Sequence, residues 1–292
     1  MTNRKLYLGP ITDNRRWDQF VARADDVYVV TPAKSGTTWM QTIVALLFSG
    51  DPDVETELSM KMPWIDTRLR EMSEVVARLE AMPHRCSVKS HTPMDGIPYR
   101  DDGHYLLVYR HPLDVHFSYR NHVRNIPLRV FDHLFPEDDP DATFRFFLEG
   151  GVEGYDMDAT TLAQIIHHYK CARALADKPN VTLFHYADMS RDLVGTFDRI
   201  STLLGISHPP EVMGKLVKAA TFENMKADAA RFAPAGGKGF MKSDSAFFES
   251  GTSNKWDGKL NDAQIAAYDA AMDASLDPAE RHWLEWGAAA GA

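Results

Sequence analysis

Three short stretches of this sequence carry side chains that could hold an anion and move a proton. The first, Val27-Tyr28-Val29-Val30-Thr31-Pro32-Ala33-Lys34-Ser35-Gly36-Thr37-Thr38-Trp39, reads as strand, tight loop and helix start. The first amides of a helix lack intrahelical partners and carry partial positive charge, so such a loop can cradle a phosphate-like group. Gly36 permits close backbone approach, Ser35, Thr37 and Thr38 add hydroxyl donors, and Lys34 adds a full charge. The plainer reading is a strand-to-helix turn whose Ser and Thr cap the helix. The spelling is not that of a Walker A loop, because Lys34 precedes Gly36 and Thr31 stands where the first Gly belongs. The second stretch, Val88-Lys89-Ser90-His91-Thr92-Pro93, puts an ammonium beside an imidazole. Imidazole accepts a proton near neutral pH, although a lone His after a strand is more often structural. The third runs from Tyr105 through Arg110 and Asp114 to Ser118. A guanidinium there can grip a phosphate with two parallel hydrogen bonds, or pair with Asp114.

Elements must bring these stretches together. Short β-branched or aromatic runs at Asp26–Val30, Cys86–Lys89, His104–Tyr109 and Val181–His185 predict buried strands. Apolar residues at helical spacing over Thr38–Phe48, Leu162–Ala176 and Leu193–Leu204 predict helices between or after them. Asn261 with Gln264 reads as a capping box opening a helix over Asp262–Met272. Strand alternating with helix implies an α/β fold: three layers, with a mostly parallel central sheet and helices on both faces. Ligands of such sheets sit beyond the carboxyl ends of the strands, where all three stretches fall. Without repeats or long linkers, residues 1–292 read as a single domain. Irregular segments near 60–66, 126–154 and 229–258 read as lids or binding loops. Trp64, Phe131, Phe135, Phe146, Phe147, Phe232, Phe240 and Phe247 in these segments suggest an apolar or aromatic-lined acceptor pocket.

The loop resembles the phosphosulfate-binding loop of the PAPS-dependent (cytosolic-type) sulfotransferases, in a bacterial-like form. That loop typically reads Tyr-Pro-Lys-Ser-Gly-Thr-Thr-Trp; here Lys34 to Trp39 is intact, with one extra residue after Pro32. The resemblance extends to about Trp256, and it implies roles for further residues. His91 of Lys89-Ser90-His91-Thr92-Pro93 would be the catalytic base, assisted by Lys89. Arg110 and Ser118 keep the eight-residue spacing of the pair that binds the donor's 3′-phosphate. Trp39, Tyr186, Thr221 and Phe222 match positions around the adenine, and Gly251 and Trp256 keep their places in the last motif. Lys34 would stabilise the bridging oxygen of the departing 3′,5′-ADP, and Thr37 and Thr38 the equatorial oxygens. One departure stands out: the family's basic pair in that last motif is Glu249-Ser250 here. An acid there should repel the 3′-phosphate, so Lys238, Lys242 or Lys255 would have to substitute. The family's dimer signature is not visible after Trp256, so no oligomeric state is implied.

The bulk properties fit this reading. Net charge is −9, which disfavours nucleic-acid and anionic-membrane partners. Two cysteines make no disulfide framework, the first residues form no signal peptide, and no run could span a membrane. A cytoplasmic location is the expectation. Neither His84–Cys86–His91 nor His111–Asp114–His116 has zinc spacing, and a monoanionic sulfuryl group needs less neutralisation than a triphosphate, so no metal is expected. The expected reaction is sulfuryl transfer from PAPS to a hydroxyl or amine of a small acceptor. A non-catalytic 3′,5′-ADP/PAPS-binding protein and a P-loop kinase are the alternatives.

Overall fold

Four strands form one parallel sheet in the order β2-β1-β3-β4: β1 Val27–Val30, β2 Ser87–Ser90, β3 His104–Tyr109 and β4 Val181–His185. The computed structural model describes residues 4–53, 58–82, 85–126, 139–233, 241–248 and 251–288. Each strand falls within one residue of its expected segment; β1, β3 and β4 carry apolar residues on both faces, the signature of a sheet covered on both sides, whereas β2 is mostly polar. The two faces divide by strict alternation. Tyr28, Val30, Val88, Tyr105, Leu107 and Tyr109 pack into one core, while Val27, Val29, Leu106, Val108 and Phe184 pack into the other.

Helices cover each face. Thr37–Ser49, Leu193–Leu204 and Pro210–Ala219 lie on the Val27 side; Met72–Glu80, Leu162–Arg173, Asp262–Asp273 and Pro278–Trp286 lie on the Tyr28 side. The capping box is formed: the Asn261 side chain accepts from the Gln264 amide at 2.9 Å, and the Gln264 side chain accepts from the Asn261 amide at 3.0 Å. Among the described residues no helix is long and apolar enough to cross a membrane.

All three segments expected to be irregular contain regular structure; in 229–258 it is the single-turn helices Ala229–Phe232 and Asp244–Phe247. Helix Pro140–Glu149 occupies part of 126–154. Asp139 accepts from the Ala142 amide at 2.8 Å, and Pro140 takes the first helical position, where its missing N–H leaves no bond unmade. Acid followed by proline is a helix-start signal as well as a loop signal. Within 60–66, the backbone pairs with the sheet edge: the Lys89 amide donates to the Pro63 carbonyl at 3.0 Å, and the Ile65 amide donates to the Lys89 carbonyl at 3.2 Å.

Candidate active site

The loop after β1 is shaped by two residues with positive φ, Lys34 at 62° and Gly36 at 117°. A Cβ on Gly36 would meet Val108 Cγ1 at 3.1 Å and Tyr186 Cδ2 at 3.2 Å, so glycine lets the loop lie against β3 and Tyr186. The Thr31 and Thr37 hydroxyls bond across the loop. Lys34 Nζ sits 3.8 Å from the centre of the Phe247 ring.

β2 delivers the histidine. His91 Nδ1 lies 2.8 Å from the Thr31 carbonyl oxygen, which can only accept, so Nδ1 bears the hydrogen and Nε2 keeps the lone pair. Trp64 meets the imidazole edge-on with ring centres 4.8 Å apart, and Lys89 Nζ lies 4.8 Å from the Trp64 ring centre. Trp64 is itself fixed, because its indole N–H donates to Asp66 at 2.6 Å. Asp66 is fully buried and also accepts from Ser90 at 2.5 Å, Thr92 at 2.7 Å and Trp17 at 3.1 Å. Burial pushes the His91 pKa down to about 3, reinforced by the Lys89 charge. Burial also lowers Lys89 to about 8, against the opposing pull of Asp66. The imidazole is therefore neutral at physiological pH.

Arg110, at the end of β3, is buried. Its Nη2 donates to the Thr252 carbonyl at 2.7 Å, and its guanidinium carbon lies 4.3 Å from the Tyr186 ring centre. The alternative pairing with Asp114 is only partly made. Nε stands 3.8 Å from Asp114 Oδ2, beyond hydrogen-bond reach, and has no hydrogen-bond partner among the described residues. Asp114 instead accepts the amides of Asn254 at 3.0 Å and Lys255 at 2.7 Å. Tyr186 donates to the Gly251 carbonyl at 3.2 Å. Gly251 has φ 66°, and a Cβ there would strike the Phe222 ring at 2.5 Å. Trp39 and Tyr186 meet edge-on at 5.1 Å, and the Trp39 indole donates to the Ala220 carbonyl at 2.8 Å.

These groups border one cavity of about 390 Å³. Lys34, Gly36, Thr37, Thr38, Trp39, Lys89, His91, Arg110, Ser118, Tyr186, Phe222 and Gly251 line it. Two residues expected at the site do not. Ser35 is fully buried with a hydroxyl that has no hydrogen-bond partner among the described residues. Thr221 caps helix Phe222–Ala227, accepting the Asn224 amide at 3.4 Å. Of the aromatics expected around an acceptor, Trp64, Phe232 and Phe247 line the cavity. Phe147 is instead a core residue packed on His116, and Phe146 packs into a small cluster with Trp64 and Ala33. Phe131, Phe135 and Phe240 lie outside the described residues, as do Lys238, Glu249 and Ser250. Of the remaining cations, Lys255 lines the cavity, whereas Lys242 Nζ donates to the Arg124 carbonyl at 2.7 Å.

Several lining residues were not anticipated from the sequence, His122 among them. His122 is half-buried, its Nδ1 has no hydrogen-bond partner among the described residues, and its ring centre is 5.8 Å from that of Phe247. Burial first, then the charges of Lys34 and Lys89, hold it well below the ordinary imidazole pKa. It follows Ser118 by one helical turn, so the two share a face of helix Pro112–Asn125. That spacing was the available signal. The histidine groups weighed as metal ligands do not converge. His91 is held by Thr31, Cys86 donates to the Leu79 carbonyl at 3.4 Å, His111 accepts the Leu113 amide, and His116 packs against Phe144 and Phe147; His84 lies outside the described residues.

Comparison with known proteins places this architecture. Residues 24–280 match the family model of the sulfotransferase domain. The glycolipid sulfotransferases of Mycobacterium bovis and Mycobacterium tuberculosis are each 34% identical, over 92% of this chain and 90% of theirs. Sulfotransferase 2A1 of Macaca fascicularis is 24% identical over the same shares. Among solved structures, mouse sulfotransferase SULT7A1 complexed with PAP superposes with a TM-score of 0.70 at 21% identity, covering 91% of this chain and 88% of that one. Retinol dehydratase in complex with androsterone and PAP gives 0.70 at 20% identity, covering 95% and 91%. These two share the three-layer fold described above. With a family model spanning most of the chain and one-third identity sustained over nine-tenths of it, this chain belongs to the sulfotransferase family of enzymes.

Proposed function

We propose that the enzyme transfers a sulfuryl group from PAPS to a hydroxyl of a small acceptor with a large apolar part, using His91 as general base. The observation that carries this reading is the tie between His91 Nδ1 and the Thr31 carbonyl. It leaves Nε2 as the basic nitrogen, in the cavity that Lys34 and Arg110 also line. In the proposed step Nε2 takes the acceptor proton, the acceptor oxygen bonds to sulfur, and the bond from sulfur to the phosphate oxygen breaks. Lys34 stabilises the departing bridging oxygen, while Lys89, Thr37 and Thr38 stabilise the oxygens around sulfur. An imidazole held near pKa 3 is a weak base, but the arriving donor answers this. Burial is the main cause of the depression, and the donor's negative charge offsets the lesser Lys89 and Lys34 fields, so donor binding raises the basicity of His91 by that share.

Two further observations support the donor assignment. The partnerless Nε of Arg110 is a buried donor suited to a phosphate oxygen, and Lys255 can supply charge where Glu249-Ser250 does not. The structural neighbours were solved with PAP. The cavity walls combine Leu58, Leu69, Met157 and Phe232 with His122 and Gln164. An amphiphile with a polar head, such as a glycolipid or lipid-like alcohol, suits such walls, in keeping with the mycobacterial relatives' names. The deciding experiment offers sulfur-labelled PAPS with phenols, long-chain alcohols, glycolipids and amines, alongside ATP with Mg²⁺. Labelled hydroxyl products are expected. PAP binding without transfer to any acceptor would establish a non-catalytic binder, and ATP turnover would revive the kinase reading.

A further inference from the structure

We propose that Asp95, His167 and Cys171 form a zinc site separate from the active-site cavity, which none of the three lines. His167 and Cys171 are four residues apart on helix Leu162–Arg173 and so share one face of it. The short turn Met94–Gly96 carries Asp95 to that face. One ligand atom from each residue lies within 4.8 Å of the others. Asp95 Oδ2 is 3.1 Å from His167 Nε2, and Cys171 Sγ is 3.5 Å from the same nitrogen.

Those separations can be compared with coordination geometry. Tetrahedral zinc, with bonds of about 2.0–2.1 Å to nitrogen and oxygen and 2.3 Å to sulfur, sets N···S at about 3.6 Å and N···O at about 3.4 Å. The donors thus stand within a few tenths of an ångström of ligand spacing. An imidazole–thiolate–carboxylate set is suited to zinc and not to calcium or magnesium, which take oxygen ligands. The Asp95 and His167 side chains are 34% and 30% exposed, so an ion can reach them and water can take the fourth position. Tyr7 supplies an outer support: its hydroxyl donates to Asp95 Oδ1 at 2.7 Å, leaving Oδ2 for the ion. The Tyr7 oxygen also lies 2.6 Å from His167 Nε2, a contact that must lengthen as that nitrogen turns to metal. On binding, His167 gives up the Nε2 hydrogen that it donates to Asp95 and carries its hydrogen on Nδ1 instead, and Cys171 releases its thiol proton to solvent.

The plainer account is a Tyr7–Asp95–His167–Cys171 hydrogen-bonded cluster that pins the N-terminal segment without an ion. A bound ion would tighten the same connection. The Lys5 amide donates to the Asp95 carbonyl at 3.0 Å, and a few residues on, Ile11 forms part of the cavity wall.

The test uses the full untagged chain, stripped with a chelator and titrated with Zn²⁺ by calorimetry and with Co²⁺ by absorption. One equivalent of zinc is expected, with a rise in Tm, and the cobalt form should show a thiolate-to-cobalt charge-transfer band. Cys171→Ala should lose that band, and both it and His167→Ala should bind zinc at least about tenfold more weakly. Tyr7→Phe should keep the band and weaken binding by roughly tenfold. Unchanged PAP affinity in Cys171→Ala shows that the variant is folded. Equal zinc binding by wild type, Cys171→Ala and His167→Ala, or a cobalt spectrum without the thiolate band, overturns the proposal.

Discussion

Lys89 should leave a visible mark on the pH dependence of catalysis. Burial lowers its ammonium from 10.5 to about 8, so about half the molecules carry the charge at pH 8 and about a tenth at pH 9. If that charge stabilises the sulfuryl oxygens, kcat/KM for the donor falls about tenfold per pH unit above this point, because kcat/KM reports the free enzyme. His91, held near 3, stays neutral throughout and adds no limb in this range. The donor's 3′-phosphate completes its ionisation near 6, so measurements from pH 7 to 10 avoid it. Lys89→Arg provides the control, since a guanidinium stays charged to pH 10 and should hold its plateau there, at a lower height. A wild-type profile flat to pH 10, or a limb near 8 that persists in Lys89→Arg, refutes the reasoning. A stability measurement checks the same cause. The folded pKa lies below the unfolded one, so the folded state disfavours the charged form; the penalty is complete below about 8 and disappears above 10.5. Lys89→Met should therefore be inactive yet more stable at pH 7 by roughly 1–3 kcal/mol, with the gain shrinking towards pH 11.

Three further variants separate the parts of the site. His91→Ala should lower kcat by about 10²- to 10⁴-fold while PAP affinity by calorimetry stays near wild type; near-normal turnover would remove His91 as the base. Gly251→Ala must place a Cβ 2.5 Å from the Phe222 ring at φ 66°, costing about 1–3 kcal/mol, so PAP should bind about ten- to a hundredfold more weakly. Unchanged binding would mean that this segment does not touch the donor. His122→Ala should raise the KM of a polar-headed acceptor about tenfold, the loss of one hydrogen bond, without altering PAP binding. An equal effect on a simple long-chain alcohol argues against a recognition role.

Much of the architecture was readable because its signals are local. A run such as Tyr105-Leu106-Leu107-Val108-Tyr109 can only be a strand buried on both faces, and the loop after Val30 announces itself through Lys34, Gly36 and the hydroxyls that follow. What escaped notice depends on distance in the sequence. Asp66 sits in a segment taken for a lid, and its importance appears only when Trp17, Trp64, Ser90 and Thr92 converge on it. Asp95 and His167 are 72 residues apart and meet because a short turn packs on a helix. Phe147 was taken for an acceptor wall because aromatic type alone cannot say which face of a helix it occupies. Pro140 illustrates the reverse error, where a residue that ends many helices begins this one.

The tie between His91 and Thr31 also bears on how such an enzyme can change its acceptor. Thr31 follows β1 and His91 follows β2, and the Thr31 amide donates to the Ser90 carbonyl at 3.1 Å. Adjacent strands are spaced about 4.7–4.9 Å apart by their backbone hydrogen bonds, so the gap between the proposed proton acceptor and the proposed anion cradle is a property of the sheet itself. The cavity walls proposed to meet the acceptor come from elsewhere, from helix Pro112–Asn125, residues 157–164 and the chain after Phe222. Substitutions there can trade one acceptor for another without moving the reacting atoms. Variants of the loop and of His91, by contrast, should prove strongly non-additive, because each displaces the other.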